Sequence, residues 1–243
     1  MSPDDQSQPK PPRRPLWRRM TDNPLFHLVA ALVVTSLVLS FVAKPYRVPS
    51  SSMQQTLQVG DRVLVNRLAY PDNDPEHGPQ TGDVIVFDAD ETWGPHQVPT
   101  NPVRVILRKV GELTGYGPSG YHTLVKRVIA GPGQTVSCCS PTGAIMVDGV
   151  PLDEPYVHND FAFEPGVLDC STTPRSARCL PEVVVPEDAY LVLGDNRSNS
   201  ADSAVYCRGG DAATDCYLLA RRDQVVGRVV AIIWPPGNWS GNP

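Results

Sequence analysis

The sequence is short of the features that would indicate several common functions. Aromatic residues make up only 7% of its 243 residues, and the formal net charge of −5 provides no basic surface for nucleic acid, so we expect no nucleic-acid partner. It has no C-x-x-C motif and no Cys/His spacing typical of zinc, so we expect neither a metal nor another cofactor. Its five histidines stand in no pattern typical of a catalytic triad, and His27 lies inside an apolar run.

Proline is abundant instead, with 26 residues that cluster near the N-terminus and in loops. Residues 1–24 combine proline, serine and glutamine with a group of basic side chains, namely Lys10, Arg13, Arg14, Arg18 and Arg19. Such a segment has little apolar surface to bury, so we predict that it is disordered. Its basic residues, which precede an apolar run, place this tail on the cytoplasmic side of a membrane.

An uncharged apolar run begins at Leu25 and ends at Ala43, which is close to the roughly 20 residues that a helix needs to cross a bilayer. The basic tail before it predicts a single-pass cell-membrane protein, anchored in the lipid bilayer by this run, with residues 44–243 outside the cytoplasm. A cleaved secretory signal is the first alternative, but its apolar region would be shorter and only Val38-Leu39-Ser40 resembles a cleavage site. A buried helix of a soluble core is the second.

All six cysteines follow the apolar run, which suggests disulfides in an oxidising compartment. The short span from Cys207 to Cys216 indicates a local bridge. The adjacent Cys138 and Cys139 either bond to each other or bridge to Cys170 and Cys179, and the sequence does not choose between these pairings.

The rest of the chain shows the alternation and β-branched apolar runs that are typical of strands. Strands are predicted over residues 61–68, 83–89, 122–130, 189–196 and 225–234, and Asp148-Gly149 predicts a hairpin turn. Two segments, about 90–120 and 152–181, have little periodicity and are predicted to be insertions. We therefore expect a mainly β, mostly antiparallel protein behind one helix.

Residues 50–52 are three consecutive serines just after the apolar run, a pattern that by itself is typical of a linker. Lys126 lies in an apolar strand, where alternation places it on the face of Leu124 and Val128 and turns Arg127 to the other face. Burial lowers the pKa of a lysine, and a neutral amine can act as a general base. A charged edge strand is the plainer alternative for this segment.

A polar segment, Gly194-Asp195-Asn196-Arg197-Ser198-Asn199-Ser200-Ala201-Asp202-Ser203, follows the strand at 189–193. Residues of these types are common in turns. Its carboxylates and hydroxyls could also orient a lysine or bind Arg127.

Together, three segments resemble the type I signal peptidase family, whose members use a Ser/Lys dyad. They are P-S-x-S-M-x-x-T-L from Pro49, K-R-V-I-x-G-P-G from Lys126 and G-D-N-R-x-N-S-x-D-S from Gly194. The closing strand from Val226 to Trp234 also fits. The resemblance implies a coiled, mostly antiparallel β-domain with an inserted irregular β-region, and an endopeptidase that removes signal peptides from exported preproteins at Ala-x-Ala sites.

The resemblance also implies roles for individual residues. Ser52 would be the nucleophile and Lys126 the general base, while the Ser50 hydroxyl and the Ser52 N–H would form the oxyanion hole. Ser200 would orient the Lys126 amine, with Arg127, Asp195 and Asp202 in supporting positions. The residues implied to line the substrate pockets are Val48, Pro49, Met53, Leu57 and Leu124.

The sequence departs from the family pattern at two positions. Ala204 stands where an arginine usually follows the motif's second aspartate and serine, so Asp202 lacks the arginine that normally pairs with it at that position. Gln134 stands where an acidic residue is frequent.

Two other functions share part of this pattern. A self-cleaving repressor with the same dyad would need a DNA-binding head, and here an apolar run occupies the N-terminal side. A membrane-tethered scaffold with a degenerate dyad is supported only by Ala204.

Overall fold

The structure, a computed structural model, describes residues 23–71, 77–94, 105–106, 110, 122–208, 214–241 and 243. Nearly all of the predicted N-terminal tail and most of the predicted insertion at 90–120 lie outside these residues. The apolar run forms helix α1 (Pro24–Leu37) and continues as a π-helical turn over Val38–Val42. Asn23 caps the helix, since its side-chain oxygen accepts a hydrogen bond from the Leu25 N–H at 2.9 Å.

The helix from Pro24 to Val42 has the length and polarity of a membrane span. It contains 19 residues with a mean hydropathy of 2.4, and its most apolar window is not buried by the rest of the protein. At 1.5 Å per residue it is roughly 29 Å long, which matches the hydrocarbon core of a bilayer. This exposure does not fit the alternative of a buried core helix. The helix ends one residue before the predicted boundary, because Ala43 pairs with Asn66 and begins a strand.

Within the described part of the chain, eight strands form the larger sheet, and every pairing between them is antiparallel. Seven of them lie in the order β1-β2-β11-β3-β4-β9-β10, and β12 pairs with β11. Their bounds are β1 Ala43–Arg47, β2 Arg62–Asn66, β3 Val84–Asp88, β4 Thr123–Ala130, β9 Ala189–Leu193, β10 Ala220–Arg221, β11 Val225–Trp234 and β12 Ser240–Gly241. The mostly antiparallel β fold predicted from the sequence is confirmed.

A smaller antiparallel sheet has the order β7-β6-β5-β8. Its strands are β5 Thr135–Cys138, β6 Ile145–Val147, β7 Val150–Pro151 and β8 Leu180–Val184. The predicted hairpin is confirmed: Asp148 and Gly149 have φ values of 50° and 78°, and two positive φ values are the signature of the type I′ turn. The residues from Leu152 to Cys179, which lie within the second predicted insertion, contain no strand, and β8 begins one residue before the predicted end of that segment at 181.

Two groups of apolar side chains in the larger sheet lie on either side of β4, and a third group contains Ile129 and Ala130 at the end of this strand. One contains Val48, Met53, Leu57 and neighbouring valines, with Val125 against it. The other contains Phe87, Val128 and Tyr190, with Leu124 against it. The alternating faces predicted for β4 are therefore both covered, which explains how a lysine in this strand becomes buried.

The cysteines form three bonds, which are Cys138–Cys139, Cys170–Cys179 and Cys207–Cys216. The local bridge predicted between Cys207 and Cys216 is present, and the structure selects the vicinal alternative for Cys138 and Cys139. The first two bonds are neighbours, since the Cys170 and Cys139 Sγ atoms are 3.8 Å apart.

We expect the purified chain to contain three disulfides and no free thiol. Intact-mass spectrometry without reductant should give a mass lower by six hydrogens than that of the reduced chain, and peptide mapping should recover the Cys207–Cys216 pair. Closure of such a short loop is worth up to about 3 kcal/mol in the chain-entropy model, so Cys207→Ala/Cys216→Ala should lower the free energy of unfolding by that order. Six free thiols would contradict the prediction.

Candidate active site

Ser52 and Lys126 are brought together from positions 74 residues apart. The Lys126 Nζ lies 2.7 Å from the Ser52 Oγ, as the donor of a hydrogen bond. Only 3% of Lys126 and 8% of Ser52 is exposed. A short contact between an amine and a hydroxyl, both shielded from water, can transfer a proton between the two groups.

Burial lowers the pKa of Lys126 to about 8, because the low-polarity surroundings disfavour the ammonium form. The negative charges of Asp202 and Asp195 act in the opposite direction and raise the pKa. The burial effect is the larger one. A substantial fraction of this lysine is therefore neutral near pH 8, whereas an exposed lysine with a pKa of roughly 10.4 would be almost fully charged.

Hydrogen bonds from the polar segment after β9 hold the serine turn in place. The Asn196 N–H donates to the Ser52 carbonyl at 3.0 Å, and the Asn196 Nδ2 donates to the Ser51 carbonyl at 3.1 Å. The Asn199 Nδ2 donates to the Ser51 Oγ at 2.8 Å. The Ser52 backbone is thus fixed relative to the end of β9, which is paired with the strand that contains Lys126.

Arg127 points away from Lys126 and forms a buried ion pair with Asp195. The Arg127 Nε donates to Asp195 Oδ1 at 2.9 Å and the Nη2 donates to Oδ2 at 2.7 Å, which is the two-pronged geometry that guanidinium and carboxylate favour. The register explains the meeting, because Arg127 is opposite Leu193 and Asp195 comes two residues later. The Thr56 hydroxyl also donates to Asp195 Oδ2, at 2.5 Å, which connects the pair to the serine turn.

Asp202 has an ionic partner despite the alanine at position 204. The Arg208 Nη2 lies 3.3 Å from Asp202 Oδ1 and 3.5 Å from Oδ2, and the Asp202 side chain is completely buried. The arginine that the family pattern places two residues after the aspartate is therefore replaced by one that lies six residues after it. Ala204 is itself fully buried, so its small side chain fits into the core.

Two other residues with implied roles lie close to the dyad. The Ser50 Oγ is 3.3 Å from the Ser52 Oγ, within reach of a shared oxyanion. The Ser200 Oγ is buried and has no hydrogen-bond partner in the described part of the chain. Its orientation of Lys126 is therefore not a contact present in the structure and stays a prediction.

The residues implied to line the substrate pockets lie in different parts of the structure and differ in burial. Val48, Met53 and Leu57 are buried in the core, Pro49 is exposed, and Leu124 packs against the other apolar group. A buried side chain can line a pocket only from beneath, so this set of roles also stays a prediction.

Sequence reasoning missed several contacts of this site. Arg208 was not singled out, although the missing arginine at 204 was a signal to look for a nearby substitute. Tyr156 was missed as well: its ring lies 4.0 Å from the Arg127 guanidinium carbon, in a segment predicted to be an irregular insertion. No local pattern indicated that contact.

Comparison with known proteins identifies the family of the chain. The family model described as Signal peptidase, peptidase S26, matches residues 23–234. A probable signal peptidase I of Mycobacterium leprae is 35% identical over 230 residues, which cover 88% of this chain and 76% of that protein. Signal peptidase I of Mycobacterium tuberculosis (strain CDC 1551 / Oshkosh) is 36% identical over 245 residues, covering 96% of this chain and 77% of that protein.

A crystal structure of a signal peptidase I from Enterococcus faecalis V583 also matches, with 20% identity and a TM-score of 0.32, over 63% of this chain and 97% of that one. The family assignment does not depend on this structure, because the sequence matches extend over most of the chain. The chain belongs to the signal peptidase family, peptidase S26, and its N-terminal apolar helix makes it a membrane-anchored member.

Proposed function

We propose that this protein is a serine endopeptidase that removes signal peptides from exported preproteins, with Ser52 as nucleophile and Lys126 as general base. The observation that supports this most directly is the 2.7 Å contact between the Ser52 hydroxyl and a buried lysine amine. The signal peptidases that the chain resembles support the substrate class. The scaffold alternative loses its support, because Arg208 supplies the charge that Ala204 does not.

The reaction would proceed through an acyl-enzyme. Neutral Lys126 accepts the Ser52 proton as the serine oxygen attacks the carbonyl carbon of the scissile bond. The resulting ammonium group returns the proton to the leaving amine, which frees the mature protein. Lys126 then removes a proton from water, which attacks the ester, and the ammonium group returns that proton to the Ser52 oxygen as the signal peptide is released.

Charge that develops on the carbonyl oxygen during both attacks requires donors. The Ser52 N–H and the Ser50 hydroxyl are the proposed pair, since the Ser50 Oγ is close to the attacking oxygen. Removal of one such donor from an oxyanion hole typically lowers the rate by about 10²–10³-fold. The substrate would lie beside the site as an added strand, a common way to bind an extended peptide.

The decisive experiment is cleavage by the purified full chain in detergent of a peptide that carries an Ala-x-Ala site. We expect one cut after the second alanine by the native protein and none by Ser52→Ala. Ser198→Ala is the matched control, because this exposed serine has no proposed role and should leave the rate unchanged. A Ser52→Ala variant that cuts at the native rate would exclude the proposed nucleophile.

We expect small side chains to be required at the first and third positions before the cut. Replacing the alanine directly before the scissile bond by phenylalanine should reduce kcat/KM severely, since shallow pockets cannot accept an aromatic ring. Competition between the two peptides in one reaction, followed by mass spectrometry, measures the ratio directly. Equal cleavage of both would contradict the proposed specificity.

We propose that the N-terminus is cytoplasmic and the catalytic domain lies outside, because the basic residues precede the apolar helix. A reporter enzyme that is active only outside the cytoplasm should be active when fused after Pro243. Protease added to intact protoplasts should digest the domain that follows the helix. Protection of that domain would reverse the proposed orientation.

A further inference from the structure

Two buried carboxylates influence the charge of the Lys126 amine, and each has an arginine as partner. The charges that act on Lys126 are those of Asp202 and Asp195, and both side chains are 0% exposed. Arg127 neutralises Asp195 from the neighbouring position of the same strand as the lysine. Arg208 neutralises Asp202, but it lies outside the strands and must be held in place by other means.

Asp202 is directly connected to the backbone that holds the nucleophile. Its Oδ2 accepts a hydrogen bond from the Gly194 N–H at 3.1 Å. Gly194 is tightly enclosed: a Cβ there would lie 2.2 Å from the Ser200 Oγ and 2.6 Å from the Ser52 carbonyl oxygen. A shift of Asp202 would therefore move groups that touch both Ser52 and Ser200.

The local fold returns Arg208 to Asp202. The Val205 N–H donates to the Asp202 carbonyl and the Cys207 N–H donates to the Ala204 carbonyl, so the chain after Asp202 makes consecutive tight turns. Cys207 is buried in the core and is bonded to Cys216. The Arg208 guanidinium carbon also lies 4.7 Å from the centre of the Phe161 ring, an attractive arrangement for a cation.

We propose that Arg208 is a positioning residue for the reaction at Ser52, held by the Cys207–Cys216 disulfide against Asp202 so that this carboxylate, hydrogen-bonded to Gly194 beside the nucleophile, is not left unpaired. The inference rests on the proposed function, since it assumes that neutral Lys126 is the base. It makes the disulfide a determinant of activity as well as of stability.

The test is the pH dependence of kcat/KM for the full chain in detergent. In Arg208→Gln, the unpaired Asp202 charge favours the ammonium form of Lys126. The pH midpoint, at which kcat/KM reaches half of its plateau value, should therefore increase by about one unit. Activity at pH 7 should then fall about tenfold, while the plateau at high pH is kept. Arg208→Lys retains the charge and should keep the midpoint near that of the native protein.

Two further variants test the connection. Asp202→Asn in the Arg208→Gln background should return the midpoint toward the native value, because the unpaired charge is gone. Cys207→Ala/Cys216→Ala should raise the midpoint. If the disulfide and Arg208 both act through the Arg208–Asp202 contact, this increase should be smaller in the Arg208→Gln background than in the native protein. Arg221→Gln removes an exposed arginine and is the matched control, with no expected shift.

A purely structural role of Arg208 would lower the melting temperature without moving the midpoint. An Arg208→Gln variant with the native midpoint therefore overturns the proposal, whatever its stability. A disulfide variant with the native midpoint overturns the part that concerns Cys207–Cys216. If the native protein itself does not cut the peptide, the proposed function fails instead, and the two failures are distinguishable.

Discussion

Lys126→Met should reduce kcat/KM by about a thousandfold or more while the fold is preserved. Methionine has a similar length and fits an apolar site, but it cannot accept the Ser52 proton, and general-base catalysis contributes about 10²–10⁴-fold. Lys126→Arg should fail as well, because a guanidinium stays charged at every accessible pH. The measurement is a peptide-cleavage assay of the full chain, with the native protein as reference.

The pH dependence of the native enzyme should have the same origin. Only the neutral amine is a base, so kcat/KM should rise with pH through about 8 and level off above it. An unperturbed lysine would place this rise near 10.4. A midpoint near 10 would mean that burial does not lower the pKa of this lysine.

Stability provides an independent control. The pKa of Lys126 in the folded state is below its unfolded value, so charging the buried amine costs roughly 3 kcal/mol at pH 7, and this cost disappears as the pH rises from 8 to above 10. Lys126→Met should therefore be at least as stable as the native protein at neutral pH.

Ser52→Ala/Lys126→Met should be no less active than either single variant, since the dyad acts as a unit. Substantial activity of Lys126→Met would exclude the dyad.

Asp195→Ala should lower the free energy of unfolding by about 3–5 kcal/mol. It leaves the Arg127 guanidinium buried with its two strongest hydrogen bonds missing, and an unpaired buried charge has a cost of this size. It also removes the acceptor of the Thr56 hydroxyl. Urea unfolding followed by tryptophan fluorescence measures the loss.

Two further variants test whether the loss of stability comes from breaking the Arg127–Asp195 ion pair. Asp223→Ala is the matched control, because this aspartate is 71% exposed and its loss should change stability by less than about 0.5 kcal/mol. Arg127→Met/Asp195→Leu should be less destabilised than either single truncation, since no unpaired charge remains. If Asp195→Ala is as harmless as Asp223→Ala, the ion pair does not support the site.

Local pattern was sufficient for the main secondary-structure elements but not for the two residues at the centre of the site. The apolar run, the alternating strands and the Asp148-Gly149 turn are determined within a few residues, since helix and strand periods are local properties. Ser52 and Lys126 were indicated only when three segments were compared with a family. No single segment excludes the plainer alternatives of a linker, an edge strand or a turn.

The sequence by itself therefore determined the membrane-spanning helix, the antiparallel β character and the motifs that contain the dyad. Only the tertiary structure decided that Cys138 pairs with Cys139 and Cys170 with Cys179, that β11 lies between β2 and β3, and that Arg208 replaces the arginine absent at 204. It also buried Val48, Met53 and Leu57, which the motif alone placed at the substrate. The physical reason is that burial and charge pairing depend on residues far apart in the chain: Arg127 and Asp195 are separated by 68 positions, and no local pattern determines their distance.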